Sequence, residues 1–221
     1  MSRLRSLLKT VFGPAKRKCE ADLFWVRRRV ILAMDLAAGQ HLASPAEIPI
    51  CFRAGTAEDL AGLTGPDHDY DDRTREIGRQ RLAAGHTLTL GIHSGAVVFY
   101  AWLMYGQMDL FFESYIPISR DRVYSYKVFT VANCRGLKIC PAYYGWIREE
   151  LRRQGYRQML AVTLASNRRS LRAHEKAGFH RLGGFLEFQV GHRFHYYVPA
   201  WLRRLVRTAA DPAAASAAGA L

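Results

Sequence analysis

The chain has 221 residues, 49% hydrophobic and 23% charged, with 32 Lys and Arg against 19 Asp and Glu, a formal charge of +13. That length suffices for one domain with a real core, and no apolar run reaches the roughly 18 residues of a membrane-crossing helix. The charge asks for an acidic ligand or partner (phosphates, an acidic carrier protein, nucleic acid or an anionic membrane face), or else reflects solvated arginine-rich faces.

Residues 1–23 read as a basic arm. Leu4, Leu7, Leu8, Val11 and Phe12 fall near helical spacing among Arg3, Arg5 and Lys9, and Gly13-Pro14 ends the run. No cleavage site follows a continuous apolar core, so no signal peptide is expected. Phe24 to Leu36 reads as a strand and 37–47 as a loop. Together they form an N-terminal extension over 24–47. Ile48 to Arg53 is a strand, and Thr56 caps a helix opened by Glu58 and Asp59. Asp71 to Ala84 is a polar helix. Thr87 to His93 and Gly95 to Tyr105 form a hairpin about Ser94-Gly95. Asp109 to Ser114 and Arg122 to Ala132 are further strands. Pro141 to Gln154 is a helix with Pro in its first turn, and Tyr156 to Ala165 a strand. A helix over 167–177 and a hairpin about Gly191 close the domain at 198. The stretch 199–221 is a basic helix end and an Ala-rich tail.

The four cysteines (Cys19, Cys51, Cys134, Cys140) show no Cys-x-x-Cys spacing, and the eight histidines form no metal-ligating pair. No metal is expected, and reduced cysteines suit the cytoplasm.

Within the 167–177 helix, Asn167 accepts as the cap, Leu171, Ala173 and Ala177 supply small or apolar surface, and Gly178 is a natural terminator before Phe179. This run, Asn167-Arg168-Arg169-Ser170-Leu171-Arg172-Ala173-His174-Glu175-Lys176-Ala177-Gly178-Phe179, resembles the last block of the GNAT acyltransferase superfamily. There an Asn-x-x-Ala/Ser opening leads to a Tyr-Glu-Lys-x-Gly-Phe close. The strand and x-AEDL opening at 48–60 also resembles that superfamily. The element order implies an α/β GNAT fold over 48–198, with a mixed central sheet and helices on both faces.

The resemblance implies acyl-coenzyme A as co-substrate, its diphosphate in a loop after the fourth strand of the domain. The implied coenzyme residues are Val131, Arg135, Gly136, Lys138, Ile139, Cys140 and Asn167. Backbone N–H groups and a helix N-terminus supply such a site. Lys138 and Cys140 depart from the family's small residues, which admits an acyl carrier protein as donor instead.

His174 stands where the family often has a Tyr that protonates the leaving thiolate, and imidazole has suitable chemistry. Glu113 is the candidate general base. Tyr124 is a candidate phenol for the acceptor cleft, with Tyr143 and Tyr144 as others near the thiol. Asp67, His68, Asp69 and Asp71 form an acidic patch suited to a cationic amine or to solvent.

The expectation is an N-acyltransferase, acetyl-coenzyme A first among donors, acting on an amino sugar, amino acid or other small amine. The alternatives are a long-chain enzyme using acyl carrier protein, and a non-catalytic module binding membrane or nucleic acid. No helix-turn-helix or RNA-binding motif supports nucleic acid. A monomer or homodimer in the cytoplasm, with peripheral contact at the inner membrane face as a second setting, completes the expectation.

Overall fold

A computed structural model describes residues 24–37, 44–63, 71–110, 114–190 and 193–208. Glu113, the patch residues Asp67, His68 and Asp69, the arm 1–23, the turn 191–192 and the Ala-rich tail lie outside them.

In chain order the strands are β1 (Phe24–Asp35), β2 (Cys51–Ala54), β3 (Thr87–His93), β4 (Ala96–Tyr105), β5 (Gln107–Asp109), β6 (Tyr115–Pro117), β7 (Arg122–Thr130), β8 (Gln158–Leu164), β9 (His180–Val190) and β10 (Arg193–Tyr197). The helices are α1 (Ala57–Gly62), α2 (Asp72–Ala83), α3 (Ile139–Arg153), α4 (Arg168–Lys176) and α5 (Ala200–Arg207). Eight strands make one sheet in the order β10-β9-β1-β8-β7-β4-β3-β2, and β5 and β6 form a separate hairpin. Among the described strands only the β7–β8 pair is parallel.

Each face of the sheet carries a core. On one face Val30, Leu32 and Met34 of β1 pack with Tyr143, Tyr144 and Ile147 of α3 and Leu171 of α4. On the other, Ile31 and Ala33 pack with Leu60 of α1 and with Leu202 and Val206 of α5. Helices therefore cover both faces of a mixed sheet, as the sequence predicts.

Local chemistry fixes the helix starts. Thr56 and Asp59 form a reciprocal capping box at α1. The side chains of Asp71 and Asn167 accept from Thr74 N and Ser170 N at α2 and α4.

Three expectations change. The segment 24–47, read as an extension, supplies β1, an inner strand between β8 and β9. The reason is its composition: Val30 through Met34 are buried on both faces, as an inner strand requires. Of the strand read at 109–114, residues 111–113 lie outside the described residues, and the segments on either side, β5 and β6, pair with each other after Gly106 at φ +70. Residues 200–207 form the complete helix α5. Its hold comes from Leu202 and Val206, each fully buried and each worth about 1.5–3 kcal/mol on transfer from water.

Candidate active site

Strands β7 and β8 run side by side from Arg122–Gln158 to Ser125–Ala161, and there the pairing stops. Both continue, β7 to Thr130 and β8 to Leu164, with no ladder between them. A bulge helps part them. Against β4, Tyr126 pairs Trp102 and Phe129 pairs Tyr100, so Lys127 and Val128 together oppose Ala101. Lys127 takes φ +48, and such a bulge bends its strand.

The chain leaves β7 through a short 3₁₀ turn over Ala132–Cys134 and enters α3 by way of Arg135-Gly136-Leu137-Lys138. Gly136 has φ +95 and Lys138 φ +56. Positive φ at alternate residues turns successive N–H groups toward one side, the concavity that suits an anion. Among the described residues, the N–H groups from Gly136 to Cys140 donate to no backbone or side-chain acceptor, whereas those of Arg135 and Ala142 are both bonded. Five consecutive donors thus lie open at the N-terminus of a fifteen-residue helix, whose dipole adds positive potential.

Gly136, Lys138, Ile139 and Cys140, four of these five residues, line a cleft of about 730 Å³ between the end of β7 and α4. Val128, Thr130, Gly136, Cys140, Asn167 and His174 are among its walls. Arg135, Arg169, Arg172 and Lys176 also line it, and among the described residues no carboxylate does. The mouth of α3 is therefore open, cationic and continuous with the parted strands.

Lys138 takes the left-handed φ +56, and its ammonium lies 2.9 Å from Glu47 Oε1. The Leu137 carbonyl also accepts from Glu47 N. The segment before β2 thereby braces the loop from outside. Arg135 folds back, its Nε donating to the Thr130 carbonyl at 3.0 Å, with its guanidinium over Phe129. Burial pushes the Cys140 thiol up to about 12, so it lines the cleft as a neutral group.

His174 is buried against α3. Its Nδ1 is 2.8 Å from the Ser170 carbonyl and its Nε2 is 3.0 Å from Tyr144 Oη. A carbonyl only accepts, so Nδ1 carries the proton and Nε2 accepts from the phenol. Desolvation lowers the pKa of His174, outweighing the hydrogen bond to Ser170. The ring is a neutral imidazole with both nitrogens engaged, which differs from the free proton donor expected from the sequence.

Of the residues singled out in the sequence, Arg135, Gly136, Lys138, Ile139, Cys140, Asn167 and His174 converge on this one cleft. Two do not. Val131 is buried, and its N–H is spent on the Val98 carbonyl. Tyr124 points into the core on the other face, stacked on Tyr126, and burial drives its pKa far up. Sequence reasoning missed Ser170, Arg169, Arg172 and Lys176. The signal was present, since 167, 170 and 174 follow a helical stripe and the basic residues flank it. Among the described residues no group of three or more His, Cys, Asp or Glu is placed to hold a metal ion.

No protein-family model matches the sequence, and no curated protein does. Solved structures do match the fold. An acetyltransferase of the GNAT family from Colwellia psychrerythraea superposes with a TM-score of 0.54 at 12% identity, over 76% of this chain and 57% of that one. A GCN5-related N-acetyltransferase from Sphaerobacter thermophilus gives 0.51 at 15% identity, over 96% and 58%. A Drosophila protein gives 0.51 at 16% identity, over 86% and 57%. The chain thus spans less than three fifths of the length of each of these three. With its parted parallel pair and helices on both faces, the chain has the GNAT fold.

Proposed function

We propose that the chain is an N-acyltransferase that moves an acyl group, acetyl in the first instance, from acyl-coenzyme A to the amine of a small acceptor such as an amino sugar or amino acid. The observation that carries this is the run of five unbonded N–H groups, Gly136 to Cys140, at the mouth of α3 beside the parted strands. The coenzyme diphosphate suits those donors. The pantetheine arm then follows the unpaired edge of β7, whose main-chain groups offer hydrogen bonds that no strand uses.

In this reading the amine attacks the thioester carbonyl. A C–N bond forms, and the oxyanion is stabilised by a main-chain N–H of the parted strand. The C–S bond then breaks, the coenzyme leaves as thiolate and takes up a proton, and the nitrogen loses one. The Ser170 carbonyl holds the only ring proton of His174, so His174 is assigned as a positioning residue that holds α4 against α3. Arg169, Arg172 and Lys176 also suit a second donor, an acidic carrier protein bearing the same phosphopantetheine arm.

Calorimetry with acetyl-coenzyme A, paired with a thiol-release assay on a panel of small amines, tests the proposal. Micromolar binding that Gly136→Asp abolishes is the expected result. An unchanged isotherm in that variant would remove the loop from the reading, and no binding of either donor would end it.

A further inference from the structure

The outer part of the sheet carries a surface that the transferase reading does not use. β1 pairs with β8 only from Arg29 onward, while its first five residues pair with β9 alone. The ends of β1, β9 and β10 therefore project as a three-stranded ribbon past β8.

Alternation and register define one face of that ribbon. Val26 lies opposite Phe188 and Arg28 opposite Leu186, while His195 and Tyr197 of β10 continue the same rows. Val26 shares its side of β1 with Val30 and Leu32, the side on which α3 and α4 pack. Neither helix reaches this far. Val26 is 52% exposed, Leu186 40%, Val190 51% and Tyr197 63%.

Charge decides what such a face suits. Arg28 and Arg193 stand among the apolar residues of this face. Both are exposed, and neither forms an ion pair among the described residues. Among the described residues the ribbon face presents no exposed carboxylate: Glu187 is wholly buried, on the opposite side of β9. A partly apolar surface that carries arginines and no acid calls for a partner that is apolar within and anionic outside. Exposed aliphatic side chains have no complement on a nucleic acid, whereas Tyr and aliphatic residues with arginines match a headgroup layer over acyl chains.

We propose that this face of the β1–β9–β10 ribbon is a docking surface for an anionic lipid bilayer. Val26, Val190 and Tyr197 enter the boundary between headgroups and acyl chains. Arg28 and Arg193 meet the lipid phosphates. The surface stands apart from the coenzyme cleft, so this proposal and the transferase reading fail independently.

The test is co-sedimentation of the full chain with vesicles of phosphatidylcholine alone or with 30% phosphatidylglycerol. Binding to the anionic vesicles, weakened by salt and absent from the neutral ones, is expected. Val26→Thr/Val190→Thr/Tyr197→Thr keeps strand propensity and should lower partition about tenfold at unchanged melting temperature. Arg28→Glu/Arg193→Glu should do the same by charge alone. Wild-type partition in both variants would assign binding to the basic arm and overturn the proposal. So would a homodimer that buries this face, or tight binding to DNA with none to vesicles.

Discussion

Tyr144 donates its hydroxyl to His174 Nε2 across 3.0 Å and so ties the middle of α3 to the wall of the cleft. His174→Ala would leave a buried phenol without its acceptor. A loss of about 1–3 kcal/mol in stability is expected, the usual cost of an unmet buried polar group, read by chemical denaturation. His174→Gln, which keeps a side-chain amide near both partners, should recover about half of it. As a positioning residue His174 should act mainly on KM for the donor, and the pH profile of kcat should keep its shape in His174→Gln. A profile that lost its acid-dependent limb would restore the imidazole to the proton-donor role.

The same burial makes stability depend on pH. The folded pKa of His174 lies below its ordinary 6.5 because desolvation disfavours the imidazolium. His86, half-buried and 2.6 Å from Tyr126 Oη, shifts the same way, again through burial. Below 6.5 the unfolded chain therefore binds more protons than the folded one, and stability falls as pH falls. Asp59 adds a second, lower step. The Arg53 hydrogen bond holds its carboxyl at about 2, below the ordinary 3.8, so its contribution is present above 3.8 and is lost as pH falls toward 2. Melting temperatures between pH 7.5 and pH 5.5 should drop in the wild type and drop less in His174→Gln. An equal drop in the two proteins would exclude His174 as a source.

Lys138 offers a direct handle on the loop. A non-glycine residue in the left-handed region costs roughly 1–2 kcal/mol, partly regained because glycine loses more entropy on folding. Lys138→Gly should leave the melting temperature unchanged or slightly raised and keep donor affinity within about threefold. Lys138→Val sets a β-branched residue at φ +56 and should weaken donor binding more than tenfold. Glu47→Ala frees the ammonium from its partner at 2.9 Å, so a modest gain in affinity that vanishes at high salt is expected. Calorimetry at two salt concentrations reads all three.

Local signals in the sequence carried much of this fold. The caps at Thr56 and Asn167, the Ser94-Gly95 turn, and Pro141 with Gly155 around α3 each act over a few residues, so their elements are legible. The place of β1 is not local: its apolar run says that it is buried but not which strands flank it. The Asn167 stripe and the 135–140 loop located the cleft. The state of His174 escaped because it depends on Tyr144, thirty residues away, and on burial that no spacing reports. Lys138 looked like a phosphate ligand because Glu47, its partner in space, is remote in sequence.

A buried ion pair between strands gives the last prediction. Arg29 Nε lies 2.6 Å from Glu187 Oε2, and both side chains are almost wholly buried. The other oxygen, Glu187 Oε1, has no hydrogen-bond partner. A pair that is incompletely bonded is weak evidence for stability, because desolvation offsets the attraction. Breaking it from one side is different, since a buried cation would remain. Glu187→Gln should cost about 3 kcal/mol, measured by urea unfolding. Arg29→Met/Glu187→Leu removes both charges and should lie within about 1 kcal/mol of the wild type. If the double variant proves as unstable as the single one, the pair is a net contributor that packing cannot replace, and the register between β1 and β9 depends on it.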